Sequence, residues 1–289
     1  MAGALVMGRP TVEPVTALNL AEFAEFLHRH LNPTVSAADW VARLRTDWPG
    51  ERPNHGFLLR DGSEVVGGIG AYYADRQIDG RAEKLCNITS WCVLEAHRQQ
   101  SMRLAMAVVG QPGYHYTDFS PTKVVAGTLK FFKFQELDER QVVTLNLPWP
   151  AFGASRVLHR AADIETALQD DALQIYRDHQ AFPWLHHVLI GTPDAWCHVI
   201  YKRRVFKRLP SAAVLHISNR GAFAAGWRRL SSHLLSRGCI STQMERRMID
   251  PIPWPSAVRS GFNAKLYQSA TLRADQIDYL YSEAMALDL

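Results

Sequence analysis

One succession of sequence patterns occurs twice in this chain. An apolar strand leads into a short polar turn that contains an arginine, an amphipathic helix follows, and a second strand begins after a glycine. The copies are "SWCVLEAHRQQSMRLAMAVVGQPGYHYTD" (residues 90–118) and "SAAVLHISNRGAFAAGWRRLSSHLLSRGCIST" (residues 211–242). Such units bury their apolar faces in layered α/β structures, and the weak repeat predicts two α/β halves. Chance similarity between two unrelated strand–helix–strand units is the alternative.

The patterns around both copies predict a mixed α/β sheet in each half. The chain of 289 residues is long enough for two modest domains. In the first half the predicted order is two helices, three strands, a helix, a strand, a helix and a strand, the last being "QVVTLNL". The stretch "PWPAFGASR" breaks this pattern. We therefore predict a first domain over residues 1–148, a connector with a polar helix over 149–183, and a second domain over 184–289.

Composition narrows the classes of function. The net charge of +4 is compatible with a small anionic ligand and makes nucleic acid an unlikely partner. No apolar run approaches the ~20 residues of a membrane helix, and no signal peptide is recognisable, so we expect no membrane partner and a cytoplasmic protein. The four scattered cysteines are expected to be free thiols. No histidine spacing typical of a metal site occurs, so we expect no metal.

The polar turn of the first copy is a candidate phosphate site. Free backbone N–H groups and the helix dipole attract anions at the start of a helix. Arg98 and Arg103 add positive charge on either side of the expected helix start. Glycines usually allow close approach to such a turn, but here Gln99, Gln100, Ser101 and Met102 occupy it.

The order of elements and this turn together resemble the GNAT superfamily of acyl-CoA N-acyltransferases, over roughly residues 15–145. The family's phosphate motif matches Arg98-Gln99-Gln100-Ser101-Met102-Arg103, although Ser101 and Arg103 replace its two glycines. Lys133-Phe134 stands where the family has Gly-Phe after its last helix. These departures are similar to a divergent branch that includes proteins associated with polysaccharide genes. The expected fold is therefore two GNAT-like halves in tandem, the second one degenerate.

The resemblance implies that acetyl-CoA or another acyl-CoA binds where the fourth and fifth strands of the family fold separate. Pantetheine would pair with the fourth strand as an added strand does. The second half, "SNRGAFAAG", does not match the motif spacing and is expected to bind no CoA. The implied cofactor-binding residues are Trp91, Cys92, Val93, Leu94, Arg98, Gln99, Gln100, Ser101, Met102 and Arg103.

The resemblance also directs the search for catalytic groups, because acyl transfer to an amine needs a proton acceptor. Some members of the family place a glutamate at the start of the fourth strand, where this chain has Glu83. A solvated charge is the alternative interpretation of Glu83. His55 and Asp118 are further candidates near strand ends. The tyrosine that protonates the leaving thiolate in many relatives corresponds to a position near Leu129, which cannot do so. Tyr114 or Tyr116 on the neighbouring strand is the substitute to consider, and the alternative is that both tyrosines pack or face solvent.

The sequence thus predicts transfer of an acetyl or other acyl group from acyl-CoA to an amine of a small molecule or sugar. An alternative within enzymes is a transferase of the peptidoglycan-bridge type, which uses aminoacyl-tRNA and would favour a much more basic surface. An alternative from another class is a non-catalytic binding protein that keeps the fold. The missing glycines and tyrosine support that alternative.

Overall fold

A computed structural model describes residues 9–150 and 153–288 and divides the chain into two compact units. The first unit runs to Gln135 and also contains Leu266–Leu272 and Tyr281–Leu287. The second unit contains Glu136–Lys265 and Arg273–Leu280. Each unit has its own seven-stranded mixed sheet.

The first sheet has the strand order β1-β2-β3-β4-β5-β14-β6. Along this sheet from β1 to β14, adjacent strands are antiparallel, except that β4 and β5 are parallel. The strands are β1 (Thr11–Pro14), β2 (Gly56–Asp61), β3 (Glu64–Ile78), β4 (Arg81–Val93), β5 (His115–Asp118), β6 (Gln135–Glu136) and β14 (Leu266–Gln268), and the helices are α1 (Leu20–His30), α2 (Ala37–Leu44), α3 (Ser101–Val109), α4 (Lys123–Phe131) and α8 (Glu283–Ala286).

The second sheet has the order β13-β7-β12-β11-β10-β9-β8, and only β11–β12 is parallel. The strands are β7 (Gln141–Leu145), β8 (Arg156–Leu158), β9 (Leu185–Thr192), β10 (Ala195–Phe206), β11 (Leu209–Ile217), β12 (Ser241–Glu245) and β13 (Ser256–Arg259), and the helices are α5 (Ala161–Ala167), α6 (Asp170–His179) and α7 (Arg220–Ser236).

The internal repeat predicted from the sequence is present in both units. In each unit an antiparallel series of strands leads through a parallel pair that encloses a helix: β4–α3–β5 in the first, β11–α7–β12 in the second. In both units the parallel strands pair over three residues. The prediction of two mixed α/β halves is therefore confirmed.

Three sequence predictions about elements differ from the structure. The sequence predicts β7 as the last strand of the first domain. In the structure β7 pairs with β12 and β13 in the second sheet. The predicted domain boundary after residue 148 therefore comes after a strand that belongs to the second sheet. The connector helices α5 and α6 pack on β9 through a cluster that includes Ile164, Tyr176 and Leu189, and they belong to the second unit. The stretch "RADQIDYLYSEAMAL" (residues 273–287) predicts an amphipathic C-terminal helix, but the structure has a 3-10 turn at Ala274–Gln276 and the short α8 there.

Side-chain caps explain where several helices begin. The stretch "SAADWVARLRTDW" predicts a helix capped by Ser36, and Ser36 does accept a hydrogen bond from the backbone N–H of Asp39 at the start of α2. The stretch "PTKVVAGTLKFFKF" predicts a helix that opens at Pro121, but α4 begins at Lys123, because Thr122 is its cap and accepts from the N–H of Val125. A cap with a side-chain acceptor satisfies a helix donor that proline alone leaves to solvent.

A glycine lets helix α1 approach β3 closely. A Cβ on Gly68 would lie 2.5 Å from the ring of Phe23 on α1, and one on Gly70 would lie 3.0 Å from Cγ2 of Thr89 on β4. The β3–β4 register also shifts between Gly68 and Gly70, where β4 has one extra residue. The glycine-rich stretch is thus a part of β3 that packs closely on α1 opposite a bulge of β4, and it is not a nucleotide loop.

The second unit buries a carboxylate among cations. Glu245, at the end of β12, is 1% exposed. Its carboxylate lies 2.5 Å from Nη2 of Arg247 and 2.7 Å from Nζ of Lys265, and it accepts a 2.5 Å hydrogen bond from the hydroxyl of Tyr279. This cluster joins β12 to two later segments of the same unit.

Replacing Glu245 with Gln should destabilise the protein by about 3–5 kcal/mol, because two cations would lose their buried counter-charge. Urea unfolding at neutral pH measures the change. Asp288→Asn is the control: it breaks the more exposed pair with Arg204 (2.8 Å) and should cost about 0–1 kcal/mol. Equal losses in both variants would contradict a structural role for the buried cluster.

Candidate functional site

The candidate site of the first unit lies where β4 and β5 separate. The two strands pair only from Leu85 with His115 to Asn87 with Thr117. β4 continues to Val93, whereas β5 ends at Asp118. The last part of β4 therefore has β3 on one side and no paired strand on the other among the described residues.

A bulge directs the backbone at this point. Ile69 of β3 faces both Ser90 and Trp91 of β4, and Ser90 adopts a positive φ of 49°. Beyond the bulge, the N–H of Leu94 donates to Val66. In an antiparallel ladder, residues that exchange backbone hydrogen bonds with the partner strand alternate with residues that do not. Since Leu94 bonds to β3, the N–H and C=O of Val93 point away from β3, toward the side of β4 that β5 does not cover.

The side chains of the predicted cofactor strand face different surroundings. The Cys92 thiol donates a weak 3.5 Å hydrogen bond to the carbonyl of His30, and burial raises its pKa. The indole N–H of Trp91 is buried and has no hydrogen-bond partner in the described part of the chain. A buried unpaired donor is uncommon in a folded protein and is available to a ligand.

The predicted phosphate turn is already helical. The segment Glu95–Gln100 is a 3-10 helix that continues into α3, so the helical region begins at Glu95 and not at Arg98. The N–H of His97 donates to Leu94, and the N–H of Ser101 donates to Arg98. These bonds occupy amides that a phosphate would otherwise meet. Gln99 and Met102 lie in the same continuous helical segment.

The two arginines of the motif have protein partners. Arg98 forms an exposed ion pair with Glu95 at 2.6 Å. Arg103 donates to the carbonyl of Pro10 at 2.5 Å and to Oε1 of Gln100 at 3.1 Å. Neither guanidinium is left without a partner, and the phosphate-binding role of this segment stays a prediction.

Two buried carboxylates meet at the point of separation. Asp118 follows the last residue of β5 that pairs with β4, and Glu283 begins α8, in the same unit; they are 4% and 2% exposed. Oε1 of Glu283 accepts from the N–H of Phe119 at 2.9 Å and from the hydroxyl of Ser120 at 3.2 Å. The structure thus brings one predicted candidate, Asp118, together with an acid that sequence analysis missed.

The buried pair has no cationic counter-charge among the described residues. Burial raises the pKa of Glu283 to about 7, although its hydrogen-bond donors oppose the shift. Burial and the neighbouring Glu283 raise the pKa of Asp118 well above its ordinary value. Oε2 of Glu283 is buried without a hydrogen-bond partner. At neutral pH the pair can therefore hold a proton and exchange it, as a general acid–base group must.

Glu83, the first predicted base, is engaged elsewhere. Its Oε2 lies 2.8 Å from Nε2 of His115, and Nδ1 of His115 lies 2.8 Å from the hydroxyl oxygen of Ser269. The Glu83 side chain is 17% exposed, so the alternative of a solvated charge is wrong. Glu83 precedes the paired segment of β4, and the separation follows it.

The other acid–base candidates lie apart from the opening. His55 is at the start of β2, which β3 separates from β4; its Nδ1 lies 3.1 Å from the carbonyl oxygen of Leu44, and burial lowers its pKa. The hydroxyl of Tyr116 donates to the carbonyl of Gln111, and Leu129 is fully buried. The catalytic roles of Glu83, His55 and Asp118 stay predictions.

The described residues contain neither a metal-binding cluster nor a membrane-spanning helix. No group of three or more His, Cys, Asp or Glu side chains is arranged to hold a metal ion there. None of the described helices is both long and apolar enough to cross a membrane. All four cysteines are free thiols, as the sequence predicted.

Solved structures similar to this chain identify its fold. They include GCN5-related N-acetyltransferases from Anabaena variabilis (TM-score 0.62, 10% identity, covering 90% of this chain and 72% of that one) and Kribbella flavida (TM-score 0.59, 12% identity, 92% and 72%). Eis1 from Mycobacterium abscessus is also similar (TM-score 0.53, 14% identity, 89% and 72%). The chain has the GNAT fold. No family model and no curated protein sequence matches it.

These similarities confirm the fold expected from the sequence, with its two GNAT-like halves. At identities of 10–14% they establish the fold and leave the activity to be argued from the site.

The acid pair makes a prediction about stability and pH. Folded protein keeps the Glu283 proton up to about pH 7, whereas unfolded chain releases it near 4.5. Unfolding therefore releases a proton in this window, and the contribution of Glu283 to stability falls as pH rises. Thermal unfolding of wild type and Glu283→Gln from pH 4.5 to 8 should show wild type losing stability relative to the variant up to about pH 7 and no further change above it. Parallel curves would contradict the raised pKa.

Proposed function

We propose that the first unit transfers an acyl group from acyl-CoA, such as acetyl-CoA, to an amine of a small molecule or sugar. The observation that carries the proposal is the opening beside β4, with the backbone of Val93 turned toward it and the Asp118–Glu283 pair at its inner end. The GNAT fold supports it by analogy.

The uncovered edge of β4 suits pantetheine. Its amides carry donors and acceptors that an exposed strand can match, as in β-strand addition. The N–H and C=O of Val93, which no described strand pairs on that side, supply such a donor and acceptor. The 3-10 helix that follows leaves fewer amides for the pyrophosphate, so the strand edge carries more of the proposed recognition.

The acid pair suits the proton transfer. An ammonium acceptor gives one proton to the carboxylate of the pair, and the neutral amine attacks the thioester carbonyl. The new C–N bond forms, the C–S bond breaks, and the second proton lost by nitrogen passes to the CoA thiolate. A buried acid with a pKa of about 7 is matched to this exchange near neutral pH.

A non-catalytic binding protein with the same fold is the second candidate. The observation that favours it is the motif turn, where hydrogen bonds to Leu94 and Arg98 occupy amides and Arg98 pairs with Glu95. Such a protein would bind its ligand without turnover, so kinetics on a confirmed acceptor separate the two functions.

Replacing Val93 with Pro should weaken acyl-CoA binding about fivefold to tenfold, because the variant lacks the N–H that faces the opening. The β3–β4 ladder does not use that N–H, so the strand should persist. Calorimetric titration with acetyl-CoA measures the change. Val93→Ala keeps the N–H and should bind as wild type does. Absence of acyl-CoA binding by wild type would overturn the proposed function.

Glu283→Gln and Asp118→Asn should each lower kcat by ~10²–10⁴ without changing acyl-CoA affinity, because they remove the proposed proton acceptor. Kinetics across pH 6–9 with one confirmed amine measure this, and the defect should shrink at high pH, where the amine is already neutral. Glu83→Gln is the comparison variant and should retain most activity. The reverse pattern would assign the base to Glu83, and three active variants would exclude both assignments.

A further inference from the structure

The second unit contains a cavity of about 420 Å³ beside β9. β8 pairs with β9 only at Leu189–Gly191, so no strand covers that edge at Leu185–Val188 among the described residues. The cavity occupies this stretch of the edge. It is lined by α5 and α6 residues, by the β9 edge, and by residues near the end of α7.

The charged residues of the cavity are all basic. Arg203 of β10 and Arg237, which follows α7, both line it, and none of its lining residues is acidic. Both side chains are exposed, and Nη2 of Arg203 donates to the backbone carbonyl of Arg237 at 2.8 Å. Neither arginine forms an ion pair with an acid of the described chain, unlike Arg204, which pairs with Asp288. Two uncompensated like charges at one site favour an anion.

Histidines provide neutral polar groups around this charge. Burial lowers the pKa of His187 to about 4, although a hydrogen bond with the backbone of His179 opposes the shift. Burial also lowers the pKa of His233 to about 4, and the nearby Arg237 adds to that effect. Both imidazoles are therefore uncharged at neutral pH. Nδ1 of His187 lies 3.0 Å from Nε2 of His198. The arginines thus supply charge and the imidazoles supply hydrogen bonds.

The remaining lining is mixed. Ile164, Leu185 and Val188 contribute apolar surface and Tyr176 and Tyr201 contribute rings, while the side chains of Gln180, His159 and His186 are polar. Small-molecule sites combine apolar surfaces with a few polar groups, in volumes of roughly 300–1,000 Å³. The composition of this cavity therefore suits a small ligand that has an apolar part and one anionic end.

We propose that this cavity of the second unit is a binding site for a small organic anion, an aromatic or branched apolar group that carries one carboxylate or phosphate. Arg203 and Arg237 hold the anionic end, and the apolar part lies along the uncovered edge of β9. The site is independent of the acyl-CoA site proposed for the first unit.

Calorimetric titration of the full chain with benzoate and with phenyl phosphate tests the proposal, with benzyl alcohol as the uncharged match. At least one anionic probe should bind with one site per chain, and the alcohol should bind at least about tenfold more weakly, since it lacks the charge-assisted hydrogen bonds. The anion that binds more tightly shows whether the site prefers a carboxylate or a phosphate. Failure of both anions to bind at millimolar concentration, or equal binding of the alcohol, would overturn the proposal.

Variants locate the binding. Arg203→Gln and Arg237→Gln should each weaken the bound anion by about tenfold, and the double variant should abolish binding. Arg204→Gln, on the neighbouring residue of β10 but outside the lining, removes the same charge and should leave affinity unchanged. Val93→Pro should also leave it unchanged, which separates this site from the first unit. Equal weakening by Arg204→Gln would show an effect of overall charge and would overturn the assignment.

Discussion

The parallel pairing of β4 with β5 over three residues, followed by their separation, is the constraint on which the first unit depends. A strand in the interior of a sheet normally satisfies its backbone on both sides. Because β5 ends while β4 continues, the N–H and C=O of Val93 face a side on which no described strand pairs with β4. Asp118 and Glu283 are buried where the two strands separate. The uncovered edge of β4 and the acid pair thus both lie where β4 and β5 separate.

The two units share this topology but treat buried acids differently. In the second unit Glu245, just beyond the parallel pairing of β12, is neutralised by Arg247 and Lys265. In the first unit Asp118 and Glu283 receive hydrogen bonds and no cation from the described residues. A neutralised acid is held ionised and stabilises packing, whereas an uncompensated one has a raised pKa and can exchange protons. This difference argues that the first unit is the one suited to acid–base chemistry.

The sequence predicted what local pattern determines. The alternation of β4 and the strand–helix–strand repeat follow from residue periodicity, so both were recognisable. The pairing of β7 with β12 is long-range and carries no local signal, and neither does the return of β14 to the first sheet. Glu283 was missed for the same reason: its neighbours suggested an amphipathic helix, and only the return of the chain to the first unit buries it beside Asp118. Residue periodicity therefore cannot predict site residues that a distant segment of the chain brings into place.

The lack of glycine in the motif turn does more than restrict the approach of a phosphate: it also changes the hydrogen bonding of the turn. Without glycine, the segment after β4 continues as a 3-10 helix directly into α3, and its amides bond to Leu94 and Arg98. An anion at such a turn competes with existing hydrogen bonds, and it meets the carboxylate of Glu95, which repels it. Backbone pairing along β4 has no competing strand, because no strand of the described chain pairs with that edge of β4 beyond Asn87. The energetics of the proposed site therefore favour recognition through the amide-bearing arm of the cofactor over recognition through its phosphates.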